Sequence, residues 1–508
     1  MKLTGLAVLL FASLWLARPT NANVAILLEE PYSFDGAFAG MGHAAIYLNR
    51  VCAASPTSLR RCYPGEHGVV ISRYNRIGGY DWIAIPLIPY LFAVAKPENI
   101  PIYADSKIAD FLRDQYRREN LEDLAPDDLA GEAPEGNWVQ LVGSAYNRTS
   151  FAYEIKTTAQ QDDELILWLN SRPNRPRYKA LSRNCADFVR DIVNFYYPKA
   201  VSRGIVADLG MTTPKRTAKS LAKYSRRHPD LELVSLVIPQ VPSAIRRSGP
   251  VRGIAESVFK SKKYMIPLAI FEPYVALGFA SAYVVDGRFN PEKQAMVFNL
   301  DGTSESPLTG RERNAYRRDL DELPRAFPED KSRRQDASWQ EFREKAQLSA
   351  DESGQLILQG PFGNKSVEMG ISRESFLNAG TPFELQRALM IYRMRSLLEG
   401  ESVSKISGAD LHEDWQLLQS YLDSAGTSRA GEARGYSGSI TTIGFRLARE
   451  TELARKIGTT QSVIARPEDA EYIGHSLTIL EHVACSCGVA LKLCAEKKPN
   501  FDREVALD

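Results

Sequence analysis

Six short apolar runs separated by turn residues are strung between Val24 and Thr158: VAILLEE, GHAAIYL, GVVIS, DWIAIPLIPYL, WVQLVG and SFAYEIKTT. Each reads as a strand, and one acidic helical stretch, Ala109 to Glu135, divides them. Longer helical patterns follow. QDDELILWLN carries Leu165, Leu167, Trp168 and Leu169, and SRNCADFVRDIVNFYYP puts Phe188, Val189, Ile192, Val193 and Phe195 on one face before stopping at Pro198. A chain with strands first and helices after them belongs to the α+β class.

With 508 residues, at roughly 100–200 residues per domain, the chain calls for two to four folding units. Apolar residues at 44% and charged residues at 25% exclude a collagen-like, coiled or disordered chain. Lys plus Arg number 63 against 62 Asp plus Glu, so whole-chain charge selects neither nucleic acid nor membrane as a partner.

Residues 1–22, MKLTGLAVLLFASLWLARPTNA, have one Lys, an uncharged apolar run from Leu6 to Ala17 and a small-residue exit at Thr20 and Ala22. That is the layout of a signal peptide, with a mature chain expected to begin near Asn23 and a periplasmic or envelope location. The apolar core is short for the alternative, an uncleaved anchor helix.

Export makes the six cysteines informative. Cys52 and Cys62 bracket a short loop and are expected to form a disulfide, contributing up to about 3 kcal/mol. Cys485, Cys487 and Cys494 lie near His475 and His482, but the CxC spacing fits no standard zinc pattern. One disulfide plus a buried thiol is the simpler reading, and neither metal nor cofactor is expected. Cys185 is left without an evident partner.

From Lys199 to Lys263 there are fourteen Lys or Arg against four Asp or Glu. Met265 to Val285 then runs apolar with Glu272 as its one ionisable group inside a Pro-containing first half, which disfavours a spanning helix. A buried hairpin or a membrane-apposed surface is expected for Met265 to Val285, and the basic and apolar stretches together, 199–285, are expected to contact an anionic membrane surface, against a simple solvated basic face. Residues 301–350 read as a charged linker or exposed helices. Gln355 to Ser372 reads as a hairpin turned at Pro361 to Asn364, and residues 351–508 as a mostly helical C-terminal domain.

Cysteine catalysis needs a thiolate, an imidazole that exchanges its proton, and a group orienting the imidazole. Cys185 falls in the first turn of its helix, with Ser182 or Asn184 as cap, where free N–H groups and the helix dipole favour thiolate. His43 opens the strand AAIYL. Taken singly, each residue has a plainer account, an inert buried thiol and a satisfied strand histidine. Their joint presence in an exported chain is the signal.

This order, GHAAIYL upstream and SRNCADFVRDI downstream, resembles the circularly permuted papain-like branch of the NlpC superfamily, typified by lecithin retinol acyltransferase-like proteins. Asn184-Cys185 followed by Phe188-Val189, and Tyr178 ahead of the cysteine, carry the resemblance, which covers about residues 23–200. It implies a permuted papain-like catalytic domain there, followed by an extension over 201–300 packed on it or against membrane. It also implies Cys185 as nucleophile, His43 as general base and acid, and a third residue on the next strand, where His67 is favoured over Glu66 and Ser72. Asn184 would support the turn, and the Cys185 N–H would donate to an oxyanion. Asp187 and Asp191 are assigned to the helix surface or its N-terminal charge.

The expected function is an exported cysteine-dependent hydrolase of amide or ester bonds, acting on cell-wall peptide or acyl lipid through an acyl-thioester. The alternatives are an envelope acyltransferase using the same dyad and a non-catalytic envelope binding or scaffold protein. Nucleic acid is not an expected partner.

Overall fold

The computed structural model describes residues 23–425, apart from 35–36, 39, 76, 176–177, 244, 301–303, 327–328, 351–354 and 378–380. The leader at 1–22 and the Cys485, Cys487 and Cys494 cluster lie outside the described residues, as does the end of the C-terminal helical region.

The fold is α+β and is organised by one mixed sheet. Its strands are β1 (Asn23–Glu29), β2 (His43–Leu48), β5 (Val69–Ser72), β6 (Ile83–Pro86), β7 (Ser150–Lys156), β8 (Val234–Ile238), β9 (Met296–Phe298) and β10 (Ser304–Glu305), in the spatial order β10-β9-β8-β7-β1-β2-β5-β6. All neighbours are antiparallel except β8 and β9. Between β2 and β5 the hairpin β3 (Val51–Ser55) and β4 (Ser58–Arg61) carries the Cys52–Cys62 disulfide.

Strand alternation divides the interior into two cores. Val24, Ile26 and Leu28 of β1 and Ala44, Ile46 and Leu48 of β2 meet the helix α4 (Cys185–Tyr196) on one face. Ala25, Leu27 and Ala45 face the other way into a core that continues through α2 (Ser106–Asn120) to Leu418. α3 (Ala159–Asn170) and α5 (Pro214–Ser225) complete the first layer, with Leu165, Leu169, Ala218 and Leu221 buried in it.

Several expectations are corrected. DWIAIPLIPYL is β6 followed at once by the helix α1 (Leu87–Phe92), because Pro86 ends the ladder and Pro89 is tolerated in a first turn. WVQLVG is not a strand: Gly136 and Gly143 bracket a 3₁₀ turn, Asn137–Gln140, that buries Trp138, Val139, Leu141 and Val142 together. An all-apolar run this short does not show which element it will adopt.

The boundary at residue 200 is absent from the sheet, which recruits β8, β9 and β10. Nor is 301–350 a linker. Helices α9 (Gly310–Ala326) and α10 (Glu329–Lys345) insert Tyr316, Leu320, Leu323, Trp339 and Phe342 into the second core. Their apolar residues are few but fall at helical spacing, so a highly charged stretch still buries one face. Strands β11 (Gln347–Ala350), β12 (Leu356–Phe362) and β13 (Lys365–Gly370) form a separate sheet, with β12 and β13 turning at Gly363 and Asn364 as expected. Two long helices, α11 (Phe383–Gly400) and α12 (Gly408–Ala425), close that side.

Part of the basic stretch after residue 199 is paired within the fold. Lys215 pairs with Glu256 at 2.5 Å, Arg216 and Lys219 with Asp286 at 2.9 and 3.1 Å, and Arg247 with Glu401 at 3.3 Å. Among the described residues no helix is long and apolar enough to cross a membrane.

Candidate active site

At one end of the sheet β1 finishes, β2 begins and β7 begins, so that Glu29 faces both His43 and Ser150 in register. Gly42 makes this entry to β2 feasible. Its φ is +80°, and a Cβ there would stand 2.2 Å from the Glu29 carbonyl oxygen, so only glycine fits without strain.

Cys185 arrives at the same end on α4. The Asn184 side chain accepts from the Asp187 N–H at 2.9 Å while the Asp187 carboxylate accepts from the Asn184 N–H at 3.4 Å, a reciprocal capping box. Asn184 Nδ2 also donates to the carbonyls of Ala180 and Thr212 at 2.9 and 3.1 Å. Asp187 is buried and further accepts from Thr212 and Arg190 at 2.8 and 2.7 Å. The cap thus holds the cysteine at a defined place. Asp187 belongs to the interior of this turn, whereas Asp191 is an exposed partner of Arg190.

The backbone N–H groups of Ala44, Ala186 and Cys185 itself face the sulfur and act to lower its pKa. Burial outweighs them and pushes the thiol up to about 11. The expected thiolate is therefore not the resting form: the helix terminus supplies donors, but water is excluded from the charge they would stabilise.

His43 is 5% exposed. Burial, reinforced by the Arg148 charge, holds its pKa well below the ordinary value, so the imidazole is neutral. The ring stacks on Tyr74 with centroids 5.1 Å apart, and Nε2 has no hydrogen-bond partner. No hydrogen bond joins it to Cys185. The residue adjoining His43, Ala44, brings its N–H to the sulfur, while the imidazole leaves the strand on the opposite face, toward Tyr74. Tyr74 belongs to the core on that face and Cys185 to the core on the α4 face, so the two groups share the strand end and not a side of the sheet.

His67 is not part of this cluster. It is exposed at the opposite end of the β2–β5 ladder, beyond the Leu48–Val69 pair, where its carbonyl accepts from Tyr47. Glu66 is likewise exposed and paired with Arg60 at 2.6 Å. Ser72 is buried at the correct end, but its hydroxyl donates to the Ala44 carbonyl at 2.7 Å. The antiparallel turn explains the difference: residues just before β5 lie beside the end of β2, not beside its beginning.

Sequence reasoning missed the charged groups around His43. Arg148, 1% exposed, pairs with Glu29 at 2.6 Å, and Tyr90 donates to the other Glu29 oxygen at 2.5 Å. Burial raises the Glu29 pKa, opposed by Arg148 and Tyr90. The Tyr32 ring lies 4.8 Å from the Arg148 guanidinium carbon. Two consecutive carboxylates closing the buried run VAILLEE were the available signal for Glu29. Arg148, in a polar turn, offered none.

Comparison with protein-family models, curated proteins and solved structures finds no match.

Proposed function

We propose that this protein is an exported cysteine-dependent hydrolase built on a permuted papain-like arrangement, with Cys185 as nucleophile and His43 as base and acid. The observation that carries the reading is the convergence at the sheet end. There β2 brings the Ala44 N–H to the sulfur at the capped start of α4, with His43 the adjoining residue on the same strand. A neutral imidazole and a neutral thiol suit general-base activation at the moment of attack rather than a standing ion pair. The His43 ring turns from Tyr74 toward the sulfur and takes the S–H proton as Sγ bonds to the substrate carbonyl carbon. The carbonyl oxygen is stabilised by backbone N–H groups at the helix start. The leaving amine or alcohol receives the proton from the imidazolium as its bond to carbon breaks, leaving an acyl-thioester. Water, deprotonated by His43, releases the acid and returns the thiol. An acceptor hydroxyl in place of water makes the same site an acyltransferase. The Cys52–Cys62 disulfide supports an oxidising compartment, and amide or ester bonds of cell-wall peptides or acyl lipids are the substrate classes.

A second reading, a non-catalytic envelope binding or scaffold protein, is favoured by the raised Cys185 pKa and the absence of a His43–Cys185 hydrogen bond. Acid-quenched mass spectrometry after incubation with an activated acyl ester and with muropeptides separates them. Hydrolysis predicts an acyl adduct on Cys185 that accumulates in His43→Ala-sensitive fashion and is lost in Cys185→Ala. A Cys185 that remains unmodified with both substrate types, with turnover unchanged in Cys185→Ala, supports the scaffold.

A further inference from the structure

Residues 262–282 form a pair of short helices, α7 (Lys262–Phe271) and α8 (Pro273–Ala282), joined at Glu272 and packed on each other and on α6 (Ile254–Lys260). Ala276 is buried between them, and Met265 and Leu268 are half-buried. The rest of the apolar surface points outward: Ile270 is 66%, Phe271 77% and Tyr274 87% exposed, with Ile266, Leu277 and Val285 also open. Single exposed apolar residues are ordinary on a soluble surface. A contiguous set on two adjoining helices is an interaction site.

The other end of the pair is tied down. Phe259 stacks on Tyr283 at 5.2 Å, and Asp286 is held by Arg216 and Lys219. Every residue from Ile270 to Val275 is exposed, so the Phe271–Tyr274 turn stands open to solvent. At the tethered end Lys262 and Lys263 are exposed and have no acidic partner among the described residues. Lys263 lies 5.9 Å from the Tyr264 ring centre and Arg288 6.0 Å from that of Tyr283.

We propose that this helix pair inserts shallowly into the interface of an anionic lipid bilayer. Its apolar turn would enter the headgroup–acyl boundary, and Lys262, Lys263 and Arg288 would contact the headgroups. Each helix, ten residues long, rises about 15 Å, half of a bilayer core of about 30 Å, so the pair enters and leaves by one side. Apolar tip, aromatic residues and cations at the base follow the layering of the interface. A second copy of this chain suits the surface less well, because a twofold contact would bring the same lysines together with only Glu272 to answer them. Glu272, exposed at the turn, limits the depth, since a carboxylate is unfavourable in hydrocarbon. The proposal is independent of Cys185 chemistry.

Flotation of the full chain with phosphatidylcholine vesicles, with and without phosphatidylglycerol, tests it. Binding is expected with the anionic vesicles. It should weaken about tenfold or more in Phe271→Asp/Tyr274→Asp, lose its anionic preference in Lys262→Glu/Lys263→Glu, and tighten in Glu272→Gln. These side chains are exposed, and unchanged thermal melting checks that the variants fold. Absence of binding, binding equal in the double Asp variant, or a concentration-dependent dimer dissolved by that variant would each overturn the proposal.

Discussion

Glu29 and His43 stand opposite one another on β1 and β2, yet the carboxylate binds Arg148 and Tyr90 while the imidazole stacks on Tyr74. The Glu29 carboxylate is taken up by a buried ion pair, and the His43 ring packs on an aromatic face with its Nε2 unpartnered. The same groups thus govern both the folding of this sheet end and the protonation of the candidate base.

If His43 is the base, His43→Ala lowers turnover of an acyl ester by about 10²-fold or more, the scale of general-base catalysis. His67→Ala leaves it within about twofold, because that side chain lies at the far end of the ladder. Steady-state kinetics on the two variants decide; a large loss in His67→Ala would contradict this placement.

Acid stability follows from the His43 shift. Its folded pKa lies below the unfolded value of about 6.5, so the unfolded chain binds more protons as pH falls through that value, and the native state loses stability. Glu29 and Glu30, whose pKa values are raised, the latter to about 6, act in the opposite sense between their unfolded value of 4.5 and their folded values. Comparing melting temperatures of wild type and His43→Gln at pH 7.5 and 5.5 isolates the histidine: the variant should lose less on acidification. An equal loss in both proteins would show that the ring titrates normally.

Removing one member of the buried pair leaves the other charge uncompensated. Arg148→Leu is expected to cost about 3–5 kcal/mol, and adding Glu29→Gln should recover part of it. Denaturant unfolding of the two singles and the double measures this. Additive losses would mean that the pair is not coupled.

Gly42→Ala forces a side chain into a left-handed backbone against the Glu29 carbonyl. A loss of about 1–3 kcal/mol is expected, together with displacement of His43 and hence of activity. A variant as stable and active as wild type would remove the close approach as a constraint.

Local chemistry was legible wherever it depends on neighbours in sequence. A cap at Ser182 or Asn184, the apolar face of α4, the Cys52–Cys62 disulfide loop and the β12–β13 turn all follow from spacing within a dozen residues. DWIAIPLIPYL and WVQLVG misled because uniformly buried runs lose their periodicity. The charged stretch 301–350 misled because net polarity hid a few well-spaced core residues, Tyr316, Leu320, Trp339 and Phe342.

The sequence by itself determined an α+β chain, a capped cysteine at the start of a helix, a histidine at the start of a strand, and one disulfide loop, since capping and alternation act over a few residues. Only the tertiary structure decided that His67 stays remote, that Arg148 reaches Glu29, and that burial lifts the Cys185 pKa. Each depends on which distant groups meet and how much water they exclude, and a linear string of residues does not encode that locally.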